Sequence, residues 1–514
     1  MSKTIIIIGA GLAGLSAALQ AAENGCNVKL VSSLPSERAQ SVMAEGGINA
    51  ALNTKDENDS PEEHFTDTIK AACGLADPNA VWGMTQAAPE LVHWLLKLGV
   101  KFNMSGYDDV DLRNFGGQKK KRTAFAQSDT GKQIMTAMID AVRRKEASGM
   151  VERFSHHSFL TLRLCGNICC GCVIRDEYSQ ETVELPGDAV IVATGGMHGL
   201  FGNTTGSLSN TGEVTAELFR LGVPLANGEM IQYHPTTVKC GGKRMLISEA
   251  ARGEGGRLFA MKDGKQWYFM EEKYPELGNL MPRDITAREI WKVSHESEVF
   301  LDMTEISEEI ISNKLSGLAD DCMTYLHKDI RKEPVSVLPG IHYFMGGILV
   351  DEQHRTPIQN LYAAGECCVQ YHGANRLGGN SLLGALYGGR VAAKSACEQA
   401  DVVDLSCATQ IDFPPASQIS EIKQLNKVMQ ETMGVVRNEN TLLNGIQTVQ
   451  ALTGNLPLLG MAVLKSALAR KESRGAHWRE DYPKSNDDDY LKTTVARFDG
   501  KQIQISFVPV PERR

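Results

Sequence analysis

The sequence predicts an α/β fold with a Rossmann-like dinucleotide-binding domain, and three observations lead to that prediction. Four β-branched residues, Ile5 to Ile8, precede glycines at G-x-G-x-x-G spacing and a helix pattern over residues 12–23. Short apolar strands flanked by glycine recur at residues 188–196 and 346–366. Between residues 227 and 339 the chain becomes more charged and richer in loops, which indicates an inserted α+β capping domain that would carry the substrate side of a site.

The glycine turn is the reason for predicting a nucleotide. Gly9 permits a tight turn, Gly11 lets the backbone approach a pyrophosphate, and Gly14 lets the helix pack on the strand. The helix would direct its free N–H groups and positive dipole end at that phosphate. The second strand, residues 27–31, leads to Ser32 where a ribose-binding carboxylate is usual, although a hydroxyl can form that hydrogen bond. The turn alone does not distinguish NAD from FAD.

The overall composition excludes several classes of protein. With 514 residues, 42% apolar and 22% charged, the chain is expected to form two or more ordinary globular domains. A net charge of -9 argues against a nucleic-acid partner. No apolar segment approaches the ~20 residues that span a bilayer. Since no export signal is visible either, we expect a cytoplasmic protein without direct membrane insertion.

The 12 cysteines are compatible with a reducing compartment. Four of them lie within residues 165–172, so a metal or iron–sulfur site has to be considered. The segment alternates like a strand and a turn, and it lacks a second C-x-x-C pair at zinc-ribbon spacing. Small buried thiols are the favoured interpretation, and no metal site is predicted.

Periodicity and turn residues predict the remaining organisation. Residues 35–60 are too long for a simple connection and are expected to wrap a ligand. The lysines of the basic run at residues 119–122 are interpreted as a solvated loop face. Helices are predicted at 61–73, 81–98, 131–147, 210–223, 306–328, 381–399 and within 417–470, a β-meander at 151–185 and a terminal strand at 502–508. The predicted domains are the first part of the nucleotide-binding domain (1–226), the inserted capping domain (227–339), the closing part (340–400), and a C-terminal helical domain with its tail (401–514).

Short motifs rich in glycine, histidine and arginine follow one another along the chain. They are GAGLAG at 9–14, AEGGINAAL at 44–52, FGGQKKKRTAFAQSDTG at 115–131, ATGG at 193–196, QYHPT at 232–236, SEAARGEGG at 248–256, PRD at 282–284, HYFMGG at 342–347, GE at 365–366 and HGANRLGGNSLL at 372–383. Together they closely resemble the flavoprotein subunits of the succinate dehydrogenase and fumarate reductase family, in a superfamily that includes L-aspartate oxidase. The resemblance covers residues 3–399 and 472–483.

The chemistry of that family fits these residue types. Oxidation of succinate removes a hydride from one carbon and a proton from its neighbour, so the site needs a hydride acceptor, a base and cations for two carboxylates. A flavin is the acceptor, and histidine and bidentate arginine can hold carboxylates. By resemblance, Arg283 transfers the proton, and Glu249 and Arg252 relay it to solvent. The residues that the resemblance places at the dicarboxylate are His234, Ser248, His342, Arg376 and Phe115.

The resemblance also implies that the dinucleotide is FAD. The dipole of the helix predicted to begin at residue 381 would favour negative charge on the reduced flavin. The implied contacts are Gly9, Ala10, Gly11, Leu12, Ala13 and Gly14 at the pyrophosphate, Ser32, Ser41, Gly46 and Gly47 along the adenosine or isoalloxazine, Glu213 where the family has aspartate, Glu366 at the ribityl chain, and Ser381 and Leu382 at the ring edge.

Two departures from the family modify these expectations. Respiratory members bind FAD covalently through a histidine where this chain has Gln40, so we expect non-covalent FAD. In the family, loss of that bond accompanies weakened succinate oxidation, which favours fumarate reduction here. The tail after Arg470 is shorter than in respiratory subunits, which weakens the expectation of docking to their iron–sulfur partner. An iron–sulfur or other electron-transfer subunit, with peripheral attachment to the inner membrane face, remains the expected partner arrangement.

Three alternatives remain open from the sequence. L-Aspartate oxidase has a glutamate where this chain has Phe115. Without that carboxylate, burying the substrate ammonium would cost roughly several kcal/mol of binding free energy in lost solvation. Reduction of another unsaturated carboxylic acid is the second alternative. A non-catalytic electron-transfer subunit is the third, but it would have no use for carboxylate-binding histidines and arginines. The electron donor, the direction of turnover and the oligomeric state are not predicted.

Overall fold

The structure, a computed structural model, describes residues 2–106, 109–400, 411, 413 and 418–514. Up to residue 226 the chain combines strands and helices, as expected of an α/β fold. These elements are β1 (Thr4–Ile8), α1 (Leu12–Glu23), β2 (Asn27–Ser32), β3 (Ile48–Asn49), α2 (Pro61–Ala71), α3 (Pro78–Leu98), β4 (Leu112–Arg113), β5 (Thr123–Ala124), α4 (Thr130–Ala147), β6 (Val151–Ser155), β7 (His157–Cys165), β8 (Ile168–Asp176), β9 (Thr182–Pro186), β10 (Ala189–Val192), α5 (Glu213–Arg220) and β11 (Leu225–Ala226).

The middle of the chain forms antiparallel sheets with short helices before it returns to the nucleotide-binding part. Its elements are β12 (Ile231–Cys240), β13 (Lys243–Leu246), α6 (Glu249–Gly253), β14 (Arg257–Lys262), β15 (Lys265–Trp267), α7 (Phe269–Lys273), α8 (Arg283–Val293), β16 (Val299–Asp302), α9 (Glu308–Lys314), α10 (Ser316–Asp321), β17 (Val335–Ser336), β18 (Leu338–Phe344), β19 (Gly347–Ile348), β20 (Leu361–Ala363) and α11 (Asn380–Gln399). Strands β12, β13 and β18 form one antiparallel sheet, and β14 to β17 form another. The predicted α+β insertion into an α/β fold is confirmed.

The nucleotide-binding part is built on a parallel five-stranded sheet in the order β20-β10-β1-β2-β6. The isoleucines of β1 are at most 3% exposed, as expected for a central strand covered on both faces. Helix α1 packs against α11, so helices from the two ends of this part lie side by side. The predicted strand, glycine turn, helix and second strand are therefore present in the predicted order.

The prediction of a β-meander over residues 151–185 is only partly right. Strands β7, β8 and β9 do form an antiparallel sheet. Strand β6 instead pairs in parallel with β2, with Val151 opposite Val28. Apolar alternation is the same in a parallel edge strand and in an antiparallel strand, so the pattern alone did not separate them.

The exposure of the side chains shows which residues of the cysteine cluster and of the basic run are buried. Cys169, Cys170 and Cys172 lie on β8 and are fully buried, which confirms the buried-thiol interpretation for these three residues. In the basic run, Lys119 and Lys121 are exposed as expected. Arg122, for which no prediction was made, is fully buried and pairs with two carboxylates. Its Nη2 is 2.8 Å from Asp59 Oδ1, and its Nη1 is 2.8 Å from Asp67 Oδ2.

The C-terminal part contains the predicted helices and an additional hairpin. Its elements are α12 (Ile419–Thr432), α13 (Glu439–Val449), α14 (Asn455–Ala469), α15 (Asp487–Tyr490), β21 (Lys492–Phe498) and β22 (Ile503–Pro509). Strand β21 was not predicted; it pairs with β22 and with β11. Residue 417 and the domain boundary at 401 lie outside the described residues, and the division at 226, 339 and 400 stays a prediction. Every described helix is too short or too polar to cross a membrane.

Candidate active site

A cavity of about 1320 Å³ lies where the parallel sheet meets the inserted region. Residues of the glycine turn line it together with the loop after β2, the loop after β10, and residues of β12, α8 and α11. The residues predicted for the nucleotide and for the dicarboxylate therefore border one continuous space. Of the predicted set, Gly14 and Arg252 do not line this cavity.

The glycine turn has the shape that a phosphate requires. Gly9 has a φ of +111°, and a Cβ at this residue would be 2.2 Å from Ala193 O. A Cβ on Gly14 would be 1.8 Å from Gly9 O, so the helix approaches the strand too closely for any side chain. A Cβ on Gly11 would be no closer than 3.7 Å to Ser41 Oγ, because Gly11 faces the cavity. Packing thus explains Gly9 and Gly14, whereas Gly11 leaves space for a ligand.

Polar groups beyond the turn suit a nucleotide. Ser32 Oγ, at the end of β2, is buried and has no hydrogen-bond partner among the described residues. Glu213 begins α5 and lines the cavity, and burial raises the pKa of its carboxyl. Glu366 Oε1 accepts from Phe344 N at 3.1 Å. An unpaired buried hydroxyl at the usual ribose position, with a glycine cradle beside it, fits the donor and acceptor set of FAD.

The other predicted flavin contacts lie around the same space. Ser41, on the segment after β2, accepts a hydrogen bond from Leu12 N at 3.3 Å. Ser381 and Leu382 lie at the N-terminus of α11, where unpaired N–H groups and the helix dipole favour a negative charge. The residues of this group that line the cavity are Ala10, Leu12, Ala13, Ser41, Gly46, Gly47, Ser381 and Leu382.

Three charged side chains form a connected chain of hydrogen bonds at the other end of the cavity, away from the glycine turn. Arg283, the first residue of α8, donates to Glu249 Oε2 from Nε at 2.8 Å and from Nη2 at 2.6 Å. Arg252 Nη2 donates to Glu249 Oε1 at 3.3 Å. All three are almost fully buried. Burial acts to raise the pKa of Glu249, but the two guanidinium groups bring it below its ordinary value, so the carboxylate stays ionised.

Two histidines and a third arginine line the same cavity as Arg283 and Glu249. The rings of His234 and His342 have centroids 5.2 Å apart. Burial and nearby arginines lower the pKa of both well below 6.5, and His234 adds to the lowering at His342, so both imidazoles are neutral in the absence of an anion. The Arg376 guanidinium lies 4.2 Å above the Tyr343 ring, and its Nε has no hydrogen-bond partner among the described residues. Cationic arginine beside neutral imidazole donors suits a carboxylate.

Gln232 joins Arg283 to the backbone of Arg376, and it was missed as a functional residue. Its Oε1 accepts from Arg283 Nη1 at 3.1 Å, and its Nε2 donates to the backbone oxygen of Arg376 at 2.9 Å. The side chain is fully buried on β12. Its position two residues before His234, within QYHPT, was the available signal, but its partners are 51 and 144 residues away along the chain.

The remaining predicted residues surround this end. Ser248 is the N-cap of α6, and its Oγ accepts from Ala250 N at 3.4 Å. Phe115 is 2% exposed and closes the cavity beside Gly46, where an added Cβ would be 2.8 Å from the Phe115 ring. An apolar ring therefore borders the cavity at this position.

Comparison with known proteins agrees with this geometry. The profile of the FAD binding domain matches residues 4–382, and that of the fumarate reductase flavoprotein C-term matches residues 452–513, beyond the predicted extent of resemblance. The chain is 38% identical to the succinate dehydrogenase flavoprotein subunit of Bacillus subtilis, with 100% of this chain and 98% of the relative covered. It is 32% identical to the 8-methylmenaquinol:fumarate reductase flavoprotein subunit of Wolinella succinogenes, with coverages of 100% and 92%.

A solved structure shows the same architecture over the whole chain. A variant of E. coli quinol fumarate reductase FrdA superposes with a TM-score of 0.90 at 28% identity, covering 99% of this chain and 97% of that one. The FAD cofactor and the family predicted from the motifs are thereby confirmed. The chain belongs to the succinate dehydrogenase and fumarate reductase flavoprotein family of FAD-dependent oxidoreductases.

Proposed function

We propose that this chain interconverts fumarate and succinate with FAD, and that it favours fumarate reduction. The observation that carries the proposal is the connected Arg283–Glu249–Arg252 chain facing Arg376 and two neutral histidines in one cavity with the glycine turn. Relatives named for succinate dehydrogenase and for fumarate reductase support the same reaction. FAD, when bound, supplies the hydride for fumarate and accepts it from succinate.

The protein's own residues would hold and orient the dicarboxylate. Arg376 offers guanidinium N–H groups, and its buried Nε has no hydrogen-bond partner among the described residues. His234 and His342 would donate to the second carboxylate or to the same one, and the anion would raise the pKa of each imidazole toward its ordinary value. Ser248 adds a hydroxyl at the start of α6. Binding two carboxylates among fixed donors aligns the reacting carbons without a reorganisation cost.

Arg283 would move the proton. A guanidinium is a weak acid in water, so proton transfer requires a neighbour that can replace the proton at once. Glu249 Oε2 lies 2.6 Å from Arg283 Nη2, and Glu249 Oε1 lies 3.3 Å from Arg252 Nη2. In fumarate reduction Arg283 gives its proton to the substrate carbon and is reprotonated from the side of Glu249 and Arg252.

Gln40 is the basis for two further parts of the proposal. It lines the cavity, and its Oε1 accepts a hydrogen bond from Ser207 N. An amide nitrogen is not nucleophilic, so the FAD is proposed to be non-covalent, and the missing bond is the reason for proposing that fumarate reduction is favoured. Electrons would come from an iron–sulfur or other electron-transfer subunit, which could also attach the chain to the inner membrane face.

Steady-state assays with three substrates test the proposal. The purified, FAD-loaded chain should oxidise a reduced dye with fumarate faster than it reduces an oxidised dye with succinate, and should not oxidise L-aspartate with oxygen. Acid precipitation should release all of the flavin. Turnover of L-aspartate without turnover of fumarate would overturn the substrate assignment, and flavin retained in the washed precipitate would overturn the non-covalent assignment.

A further inference from the structure

Arg113 is a buried arginine that the proposed reaction does not use. It ends β4, in the small sheet ordered β3-β5-β4, and is 3% exposed. Among the described residues its hydrogen bonds all go to backbone carbonyls and none to a carboxylate. Burial lowers the pKa of this guanidinium to about 10, which leaves it charged at neutral pH. A buried cation without a bonded anion is costly, so its contacts need a reason.

Those contacts converge on the loop before β3. Arg113 donates to Gly46 O from Nε at 3.0 Å and also from Nη2. Nη2 further donates to Glu45 O at 3.2 Å and to Gln127 O at 3.2 Å. The planar fork of arginine can hold two neighbouring carbonyls in one plane, which the point charge of lysine cannot do. Arg113 therefore holds the carbonyls of two consecutive peptide groups on its own side of the loop.

Aromatic rings hold the guanidinium in place. Its Cζ lies 4.2 Å from the centroid of Phe125 and 5.6 Å from that of Phe115. The Phe115 ring also packs directly on Gly46, where a Cβ would be 2.8 Å away. The loop is consequently fixed from one side by the cation and from another by an aromatic ring.

Peptide geometry then decides where the N–H groups point. In a trans peptide the N–H is directed opposite to the C=O of the same group, and the described residues contain no cis peptide bond. Since the carbonyls of Glu45 and Gly46 point to Arg113, the N–H groups of Gly46 and Gly47 point away from it. Both glycines line the cavity, and in the described part of the chain no acceptor bonds either N–H.

We propose that Arg113 is a positioning residue that presents the N–H groups of Gly46 and Gly47 to the flavin ring and favours its reduced, negatively charged form. The inference rests on the proposed function only in that FAD occupies this cavity. Two donors and a cation behind them interact more strongly with an anion than with a neutral ring. Arg113 would therefore raise the reduction potential of the bound flavin without touching the dicarboxylate.

The test compares Arg113→Lys and Arg113→Met with Arg143→Met, whose side chain is 59% exposed on α4. The reduction potential is measured by dye titration of FAD-loaded protein without dicarboxylate, and flavin retention is measured after gel filtration. For Arg113→Met we expect at least a tenfold loss in preference for reduced over oxidised flavin, about 30 mV for a two-electron couple. Arg113→Lys should show a smaller shift in the same direction, and Arg143→Met none.

If Arg113→Met does not fold, Arg113→Lys still gives a decisive test, because lysine retains the positive charge but lacks the planar guanidinium that binds two carbonyls. An unchanged potential in folded Arg113→Lys would overturn the inference, even if turnover or flavin retention falls. A lower potential in that variant supports it. Failure of the wild-type protein to reduce fumarate would overturn only the proposed function, since the potential is measured without that substrate.

Discussion

The two ends of the cavity use different chemistry to prepare for a ligand. At the nucleotide end, contiguous residues 9–14 offer backbone N–H groups and a space that exists because glycine has no side chain. At the dicarboxylate end, the amide of Gln232 on β12 joins the charged side chains of α6 and α8 to the backbone oxygen of Arg376 in a buried hydrogen-bonded network. The first end depends on local backbone shape, and the second depends on tertiary packing. Substitutions at the two ends should therefore separate flavin binding from turnover.

The largest expected effect comes from Arg283→Ala. Loss of the proton donor should reduce fumarate turnover by about 10²- to 10⁴-fold while the protein keeps its bound flavin. The measurement is kcat with reduced dye beside the flavin absorbance per mole of protein. Arg288→Ala, on the same helix and packed on Trp478, is the matched control. A turnover rate close to wild type in Arg283→Ala would refute the assigned proton role.

Gln232→Leu tests whether the hydrogen bonds that join Arg283 to the backbone of Arg376 are needed for turnover. The substitution leaves Arg283 Nη1 without its acceptor and the backbone oxygen of Arg376 without its donor. An unsatisfied buried group costs about 1–3 kcal/mol, so kcat/KM should fall about 5- to 150-fold with contributions from both kcat and KM. The exposed Gln502→Leu should change neither. Flavin content that falls together with kcat/KM would contradict the separation of the two ends.

Gly11→Ala should weaken the nucleotide end alone. The added methyl group meets no protein atom closer than 3.7 Å, so the fold should tolerate it, but it enters the space where a pyrophosphate approaches. We expect about a tenfold loss of FAD affinity, measured by titration of the apoprotein, with an unchanged apoprotein melting temperature. Gly14→Ala is the contrasting variant, because its Cβ would be 1.8 Å from Gly9 O and should destabilise the apoprotein itself. Equal FAD affinity in Gly11→Ala and wild type would show that Gly11 does not face the phosphate.

The smallest effect concerns Glu45, on the loop between the two ends. Burial, with a further contribution from Asp321, raises the pKa of its carboxyl from 4.5 to about 8. Between these values the folded protein holds a proton that the unfolded chain has lost, so this group makes stability fall as pH rises from about 4.5 to about 8. Glu45→Gln cannot ionise and should show a smaller drop in melting temperature between pH 5 and pH 8. The exposed Glu37→Gln should behave as wild type, and an unchanged drop in Glu45→Gln would contradict the assignment.

The residues recovered from sequence and the residues missed differ in one respect. His234, Glu249 and Arg283 belong to short motifs whose order along the chain is itself informative, and the structure brings them together at one cavity. Arg113 and Gln232 act through hydrogen bonds to residues far away in the chain, so their own neighbours gave little sign of a role. The burial of Arg122 was not predicted for the same reason, because both of its carboxylate partners lie more than fifty residues earlier.

The sequence by itself determined the α/β fold and the glycine turn, because strand, turn and helix signals depend on residues close together in the chain. It also determined the family and the FAD cofactor, because the motifs and their order along the chain resemble those of that family. Tertiary structure alone decided that β6 joins the parallel sheet, that Arg122 is buried, and that Gln232 and Arg113 hold parts of the site in place. The physical reason is that burial and hydrogen-bond partners are set by residues that meet only after folding. A charged or amide side chain has the same local pattern whether it is solvated or enclosed.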